Sequence, residues 1–450
     1  MGVSLTTEQV LALAPDGASA KAASGLVAQS HWSSLGTDDD AVWGECKGSG
    51  AKPYQSQVDL AALVSRCSCP SRKFPCKHAL ALLLQYTQFR SRFAKAARPA
   101  WVDEWLASRK EKAVKKEQAA AEKAPADPIA AAAATTKREA ARWKRIESGS
   151  ADLQRWMADQ FRQGLAGFGA EQRKNWSTMA ARMIDAQAPG LAQRLEEAGQ
   201  MLSAGSSRHE QAIQALGLIQ LINEGVARRE QLSPARLADL RAALGWPHDK
   251  EEVAASPDTV TDDWLALGQI TLSRETHLTE RRIWLHGGHS GRYALLLDFA
   301  YNTNALPMPW LDGSSYRAGL HFYPGSASLR ALATERVASA AFPWPKLAPD
   351  AMLDRVSAWY AQNPWLQQVP MLLTNATPVI YEQTWLLQTD VGVLTLNMPE
   401  SCAWSLLAFS GGHPIDVMGE WNGHSLLPLS ARRADNAMAP WSLNSKEMAA

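Results

Sequence analysis

The chain has 450 residues, and its 46 basic and 45 acidic side chains leave a net charge of +1, which by itself points to no charged partner. A hydrophobic fraction of 46% supports packed cores and excludes a wholly disordered chain. Apolar runs such as Ala79–Leu84 fall far short of the roughly 18 residues of a membrane span, and five cysteines are too few for a disulfide framework.

Met1–Val10 lacks the basic region and apolar stretch of a secretory leader, so a cytoplasmic location is expected. At roughly 100–200 residues per domain, two to four domains are expected. Gly25–Gln29 and Ala41–Cys46 read as short strands, separated by Gly36 and the run Asp38–Asp40. That acidic run reads as a solvated loop, because it lacks the glycine and glutamate spacing of a calcium loop. Cys46 reads as a filler residue of its strand. Pro53–Val58 gives a further strand, and Val58–Arg66 is ambiguous between extended and helical.

Three of the five cysteines then fall within ten residues, as Cys67-x-Cys69, a six-residue spacer and Cys76-x-His78. Four such ligands suit tetrahedral zinc, since thiolates select against the oxygen-seeking magnesium and calcium. A fourfold protein shell leaves no open position for water, so this zinc is expected to be structural. On a strand, residues two apart share a face, which lets Cys67 and Cys69 grip one ion. Pro70, Ser71 and Pro75 favour a turn, and the apolar run after His78 reads as a helix whose positive end suits a thiolate. Metal binding is expected to supply most of the folding energy of so small a module.

The stretch CSCPSRKFPCKHALALLL resembles the SWIM zinc finger, whose pattern is CxC…CxH. The resemblance implies a small ββα unit, zinc held by Cys67, Cys69, Cys76 and His78, and a role in binding DNA or other proteins. The chain is also similar to bacterial SWIM-containing proteins that accompany MoxR-type ATPases and von Willebrand A-domain proteins, which are the protein partners so implied.

Ser49–Arg98 carries nine basic residues against one acidic, whereas Pro257–Ser430 carries nine against fifteen. The candidate contacts to nucleic acid or to an acidic partner are Arg66, Arg72, Lys73, Lys77, Arg90 and Arg92. A solvated rim is the alternative for the same charges. The expected fold class is therefore multidomain α+β: a small ββα zinc finger module, an α-helical middle region and a β-rich C-terminal domain. Its divisions are a finger module with N-terminal strands over 1–107, an Ala/Lys/Glu-rich linker over 108–137, a helical domain over 138–250, a β-rich domain over 257–430 and a tail over 431–450.

In the helical part, apolar residues recur at three- and four-residue steps, with a break at Gly149. Past Asp262 the period changes to that of strands, at Leu265–Leu272, Arg281–His286, Tyr293–Phe299, Ala318–Tyr323, Trp385–Thr389, Val391–Met398, Trp404–Phe409 and Pro414–Trp421. Only Asp350–Tyr360 reads as a helix there. Ten of the 18 tryptophans lie past residue 260, as sheet core or as a binding groove.

No Walker A sequence, zincin motif or nucleophile elbow occurs. His286 and His289 have His-x-x-His spacing in a Gly-rich turn with no carboxylate nearby in sequence. No catalytic residue, small-molecule substrate or cofactor other than zinc is evident, and a binding protein rather than an enzyme is expected.

Overall fold

A computed structural model describes residues 7–443 apart from 15–16, 39, 49–51, 61–63, 72, 110, 112–127, 166–167, 205–207, 257, 276–277, 302–305, 308, 341 and 434–439. Helices α1 (Thr7–Ala12) and α2 (Gly17–Ser24) come first. They lead into β1 (Trp32–Thr37), β2 (Ala41–Cys46), β3 (Tyr54–Asp59) and β4 (Val64–Cys67), then α3 (Lys77–Gln88) and β5 (Ala94–Lys95). The sheet order is β4-β3-β2-β1-β5, antiparallel except for β1 beside β5. The ambiguous stretch after Val58 thus turns back as a hairpin, giving β3, β4 and α3 the expected ββα order.

Gly25–Gln29 is not a strand. Gly25 donates to the Lys21 carbonyl and closes α2, and Gln29–His31 is a short 3-10 turn. Here the glycine ends a helix, where sequence reasoning took it to open a strand. Helix α4 (residues 100–109) packs Val102, Trp105 and Leu106 on Ala41 and Trp43, while Val42 and Cys46 face the core under α3. β2 is therefore covered on both sides, and the N-terminal unit extends to residue 109.

The 108–137 linker is helical at both described ends, because α5 (Pro128–Gln163) begins inside it, with proline at its first position. The middle of that linker lies outside the described residues. α5, α6 (Ala170–Asp185), α7 (Pro189–Ser203) and α8 (His209–Ala227) form a bundle. Ile146, Leu153, Met183, Leu191, Leu195 and Ile219 fill its core, and α9 (Pro234–Ala243) and the short α10 (Lys250–Ala254) follow. Gly149 does not break α5. A Cβ there would lie 2.4 Å from the Ala186 Cβ, so the glycine is where α5 passes closest to the end of α6.

The C-terminal region holds two sheets. β6 (Thr259–Glu275), β7 (Leu278–Gly287), β8 (Tyr293–Tyr301), β9 (Ser315–Phe322) and β10 (Arg330–Ala333) pair in sequence of neighbours β8-β7-β6-β9. β10 pairs with both β8 and β9 and closes the ring into a small barrel, with β11 (Val337–Ala338) alongside β9. Alternate residues Trp264 and Ala266, Ile283 and Leu285, and Ala318 and Leu320 fill the inside. The outward Leu265, Leu267 and Trp284 join the core of the second sheet.

The second sheet comprises β12 (Val369–Tyr381), β13 (Thr384–Thr389), β14 (Gly392–Thr395), β15 (Ile415–Trp421), β16 (Leu426–Arg433) and β17 (Trp441–Ser442), in the order β14-β13-β12-β15-β16-β17. α11 (Pro349–Gln362) and α12 (Glu400–Ser410) pack on it. Trp404–Phe409, expected as a strand, belongs to α12. The helix is preceded by Pro399 and stopped by Gly411 at φ +60°, and it buries Cys402, Ala403, Leu406 and Ser410 at helical spacing. The expected tail also needs correction. Trp441 and Leu443 are buried in this core, and the Trp441 indole donates to Ser405 Oγ at 3.0 Å. Between the two sheets the buried Arg282 donates twice to Glu420, at 2.8 and 2.6 Å, and the Trp284 indole donates to the same carboxylate at 2.9 Å.

Gly149→Ala should destabilise the bundle by about 1–3 kcal/mol, the usual cost of overpacking, although alanine is the better helix former. Urea unfolding of the two proteins checks this; a more stable alanine variant would mean that the close approach to Ala186 is wrong.

Candidate metal centre

The site is assembled by a hairpin edge and a helix start. The β3–β4 register sets Cys67 opposite Ser56 at the end of β4. Past it, the Ser68 N–H donates to the Gln55 carbonyl and the Gln55 N–H donates to Ser68 Oγ, both at 2.9 Å, which fixes the exit of the chain towards Cys69. Cys76 is the N-cap of α3, its carbonyl accepting from the Leu80 N–H at 3.0 Å, and His78 lies in the first turn. One ligand atom from each of Cys67, Cys69, Cys76 and His78 lies within 4.8 Å of every other, and Cys67 Sγ is 3.8 Å from His78 Nδ1. Zinc bonds of about 2.3 Å to sulfur and 2.0 Å to nitrogen imply tetrahedral edges of roughly 3.5–3.8 Å, so the quartet fits with small adjustments.

Cys76 and His78 are buried, and the His78 ring packs on that of Tyr54 with centroids 4.9 Å apart. The Cys76 thiol is pulled down to about 4, chiefly by the hydrogen bond from Cys67, against the effect of burial and with help from His78 and the Ala79 N–H. Cys67 is pushed up by the same hydrogen bond and by burial, and Cys69 is pushed up by burial. Three sulfurs this close cannot all ionise alone, whereas a dication stabilises all three as thiolates and releases their protons. Cys46 is fully buried, with its thiol raised to about 11 by burial, and it is not among the four converging ligands.

Residues 54–86 match the SWIM zinc finger. Residues 141–244 match the SWIM-associated four-helix bundle domain, which spans the bundle from within α5 to the end of α9. No curated protein and no solved structure matches the chain. The four ligands predicted from spacing all fall inside the matched SWIM segment.

Around the SWIM finger the candidate contacts separate into two groups. Arg66, Lys73 and Lys77 are exposed beside the ligands, and Arg72 lies outside the described residues. Arg90 and Arg92 sit beyond the far end of α3, about 18 Å along a twelve-residue helix at 1.5 Å per residue. There Arg90 donates to Tyr86 Oη at 3.0 Å, and Arg92 stacks on Phe89 at 3.7 Å. Arg98 binds the Asp38 and Asp40 carboxylates, so the acidic run is a clamp rather than a purely solvated loop. Sequence reasoning did not single out Lys47. With Lys73, Lys77 and Tyr54 it lines a cavity of about 570 Å³ beside Cys69 and His78.

The His286–His289 turn does have a carboxylate beside it. Asp262 accepts from the His289 and Ser290 N–H groups and lies 2.9 Å from His289 Nδ1, so folding brings it to the loop from 27 residues away. These contacts hold Asp262 well below the usual carboxylate range despite its burial. His286 is instead buried, pushed down to about 4 by desolvation and then by Arg355, and it does not join that group.

The core around the finger is larger than a thin module implies: Trp32, Val42, Val58, Leu80, Leu83 and Leu84 are all buried in it. Metal removal should therefore loosen the ligand loop more than the sheet. In hydrogen exchange, chelation should deprotect residues 67–80 while β2 stays protected; simultaneous loss in both would show that the metal holds the whole unit. Cys76→Ser should lose the zinc that Cys46→Ala retains, and metal analysis of the two purified variants decides it. Equal zinc in both would remove Cys76 from the ligand set.

Proposed function

We propose that the chain is a zinc-structured adaptor that acts by binding macromolecules rather than by catalysis. The observation that carries this reading is the four-ligand set itself, which completes tetrahedral zinc and leaves no position for a reacting water or substrate. The ion then serves as a brace, and function passes to the surface it holds in place. That surface is cationic, with Arg66, Lys73 and Lys77 exposed around the ligands. It suits an acidic face of a protein partner. Resemblance to bacterial SWIM-containing proteins names the partner class as a MoxR-type ATPase or a von Willebrand A-domain protein, in the bacterial cytoplasm. No helix among the described residues is long and apolar enough to cross a membrane.

A pull-down with the full chain from a host that encodes both partner classes tests the reading. Recovery of either one, abolished by the double change Lys73→Glu and Lys77→Glu with zinc content unchanged, is the expected result. Recovery of neither, or recovery indifferent to the charge reversal, contradicts it.

The second reading is nucleic-acid binding, and the lysine-lined cavity beside the zinc ligands favours it. Arg90 and Arg92 lie on their own aromatic neighbours at the far end of α3, whereas Lys47, Lys73 and Lys77 line one cavity and Arg66 is exposed on β4 beside Cys67. Four phosphate contacts give a slope of log K against log salt of about −3 to −4. Weak, sequence-indifferent binding of labelled DNA and RNA with no steeper slope is expected. Tight, sequence-selective binding near physiological salt would make nucleic acid the partner.

A further inference from the structure

A second feature lies far from the finger, between the helical bundle and the C-terminal barrel. A cavity of about 420 Å³ opens there, lined on one side by the start of α7 and the end of α9 and on the other by the β9–β10 connection and the segment after α11. Its size falls in the range of small-molecule sites. The walls are aromatic and aliphatic, with Trp284, Leu295, Tyr323 and Trp365 among the lining residues.

The polar groups in this lining are unbalanced towards donors. Arg330 stacks on the Tyr323 ring at 4.2 Å, and its Nε is buried without an acceptor. The Trp365 indole N–H is likewise buried without an acceptor. Arg194 spends one N–H on the Trp365 carbonyl, at 2.8 Å. Neither arginine forms an ion pair with a carboxylate of a described residue. The one acid of the lining, Asp239, is occupied elsewhere: it accepts from the Ser326 N–H and from Asn363 Nδ2, and the cation whose field reaches it is Arg236. His248, also in the lining, is held below its ordinary value first by burial and then by the positive charge of Arg330 and Arg241. Buried donors that lack acceptors are costly, and charged ones more so. Water can satisfy them, but it leaves Arg330 without a counter-charge, whereas the Glu197 carboxylate supplies one to Arg194.

We propose that this interdomain cavity is a binding site for a small aromatic acid, its carboxylate or phosphate held by Arg194 and Arg330 and its flat body lying against Tyr323 and the neighbouring apolar wall. A guanidinium offers a planar fork of donors that matches either anion. Such a ligand bridges the bundle and the barrel, adding to the contacts that Asp239 makes with Ser326 and Asn363 and that Arg194 makes with Trp365. The site goes beyond the adaptor reading and stands or falls separately from it.

Calorimetry on the full-length, zinc-loaded protein tests the site with four probes at fixed ionic strength: phenyl phosphate, benzoate, inorganic phosphate and the neutral benzyl alcohol. Saturable one-to-one binding of an aromatic acid, without binding of benzyl alcohol, is expected. A preference between phenyl phosphate and benzoate identifies the head group, and binding of inorganic phosphate as tight as that of phenyl phosphate would remove the aromatic part of the proposal. Arg330→Met should weaken the aromatic acid by about tenfold or more, the worth of one charged hydrogen bond. Hydrogen exchange of the unmodified protein gives a readout that does not depend on the variant folding. The bound probe should protect residues 323–330 and 363–368 together. No binding of any acidic probe, binding unaffected by a folded Arg330→Met protein, or protection confined to other segments would overturn the assignment.

Discussion

Three thiols and an imidazole brought within 4.8 Å of one another set the constraint on which the junction between β4 and α3 depends. Left to protons, the cluster shares them unevenly, with Cys76 drawn down and Cys67 driven up. A divalent cation held there would remove that competition and fasten the end of β4 to the start of α3. The direction of α3 follows, and with it the burial of Leu80, Leu83 and Leu84 against β2 and β3. Lys73 and Lys77 lie beside this same junction, exposed around the four candidate ligands.

The C-terminal half is organised by a different device. Two sheets with apolar inner faces would pack in many registers, but Arg282 and Glu420 tie one strand of each together inside the core. The carboxylate is saturated by Arg282 and by the Trp284 indole, so the charge is buried without an orphan. Removing one partner of such a pair costs roughly 3–5 kcal/mol, because the other is left buried and uncompensated. Asp262 plays a comparable part at the barrel rim, where a single carboxylate collects the N–H groups of the Gly-rich turn. Most tryptophans of this half serve the cores, Trp264 and Trp284 being fully buried, while Trp404 is exposed.

What could be read from the sequence was what is local. The four candidate ligands lie within twelve residues, and their chemistry and spacing point to a zinc site without any knowledge of the fold. The bundle was legible because its helices are long enough for the apolar period to repeat. Features that depend on distant segments were not. Gly149 looks like a helix break until Ala186 is seen against it. The Asp38–Asp40 run looks solvated until Arg98 is brought to it from about sixty residues away. Trp404–Phe409 is a short apolar run, and only the preceding Pro399 and the following Gly411 mark it as helical. β12 was missed because Pro370 and Pro378 interrupt its pattern and a bulge between Leu373 and Ala376 shifts its phase. Barrel closure by β10 is a matter of pairing, to which four residues of sequence give no clue.

Cys67, Cys69, Cys76 and His78 together make the donor set of a closed zinc site, three sulfurs and one nitrogen. X-ray absorption at the zinc edge of the full-length protein measures it most directly. One zinc per chain is expected, with three sulfur neighbours at about 2.3 Å, one nitrogen at about 2.0 Å and no light-atom ligand from solvent. A substoichiometric metal, or a shell with fewer than three sulfurs and an exchangeable oxygen, would contradict it and reopen the question of whether the ion braces the chain or reacts.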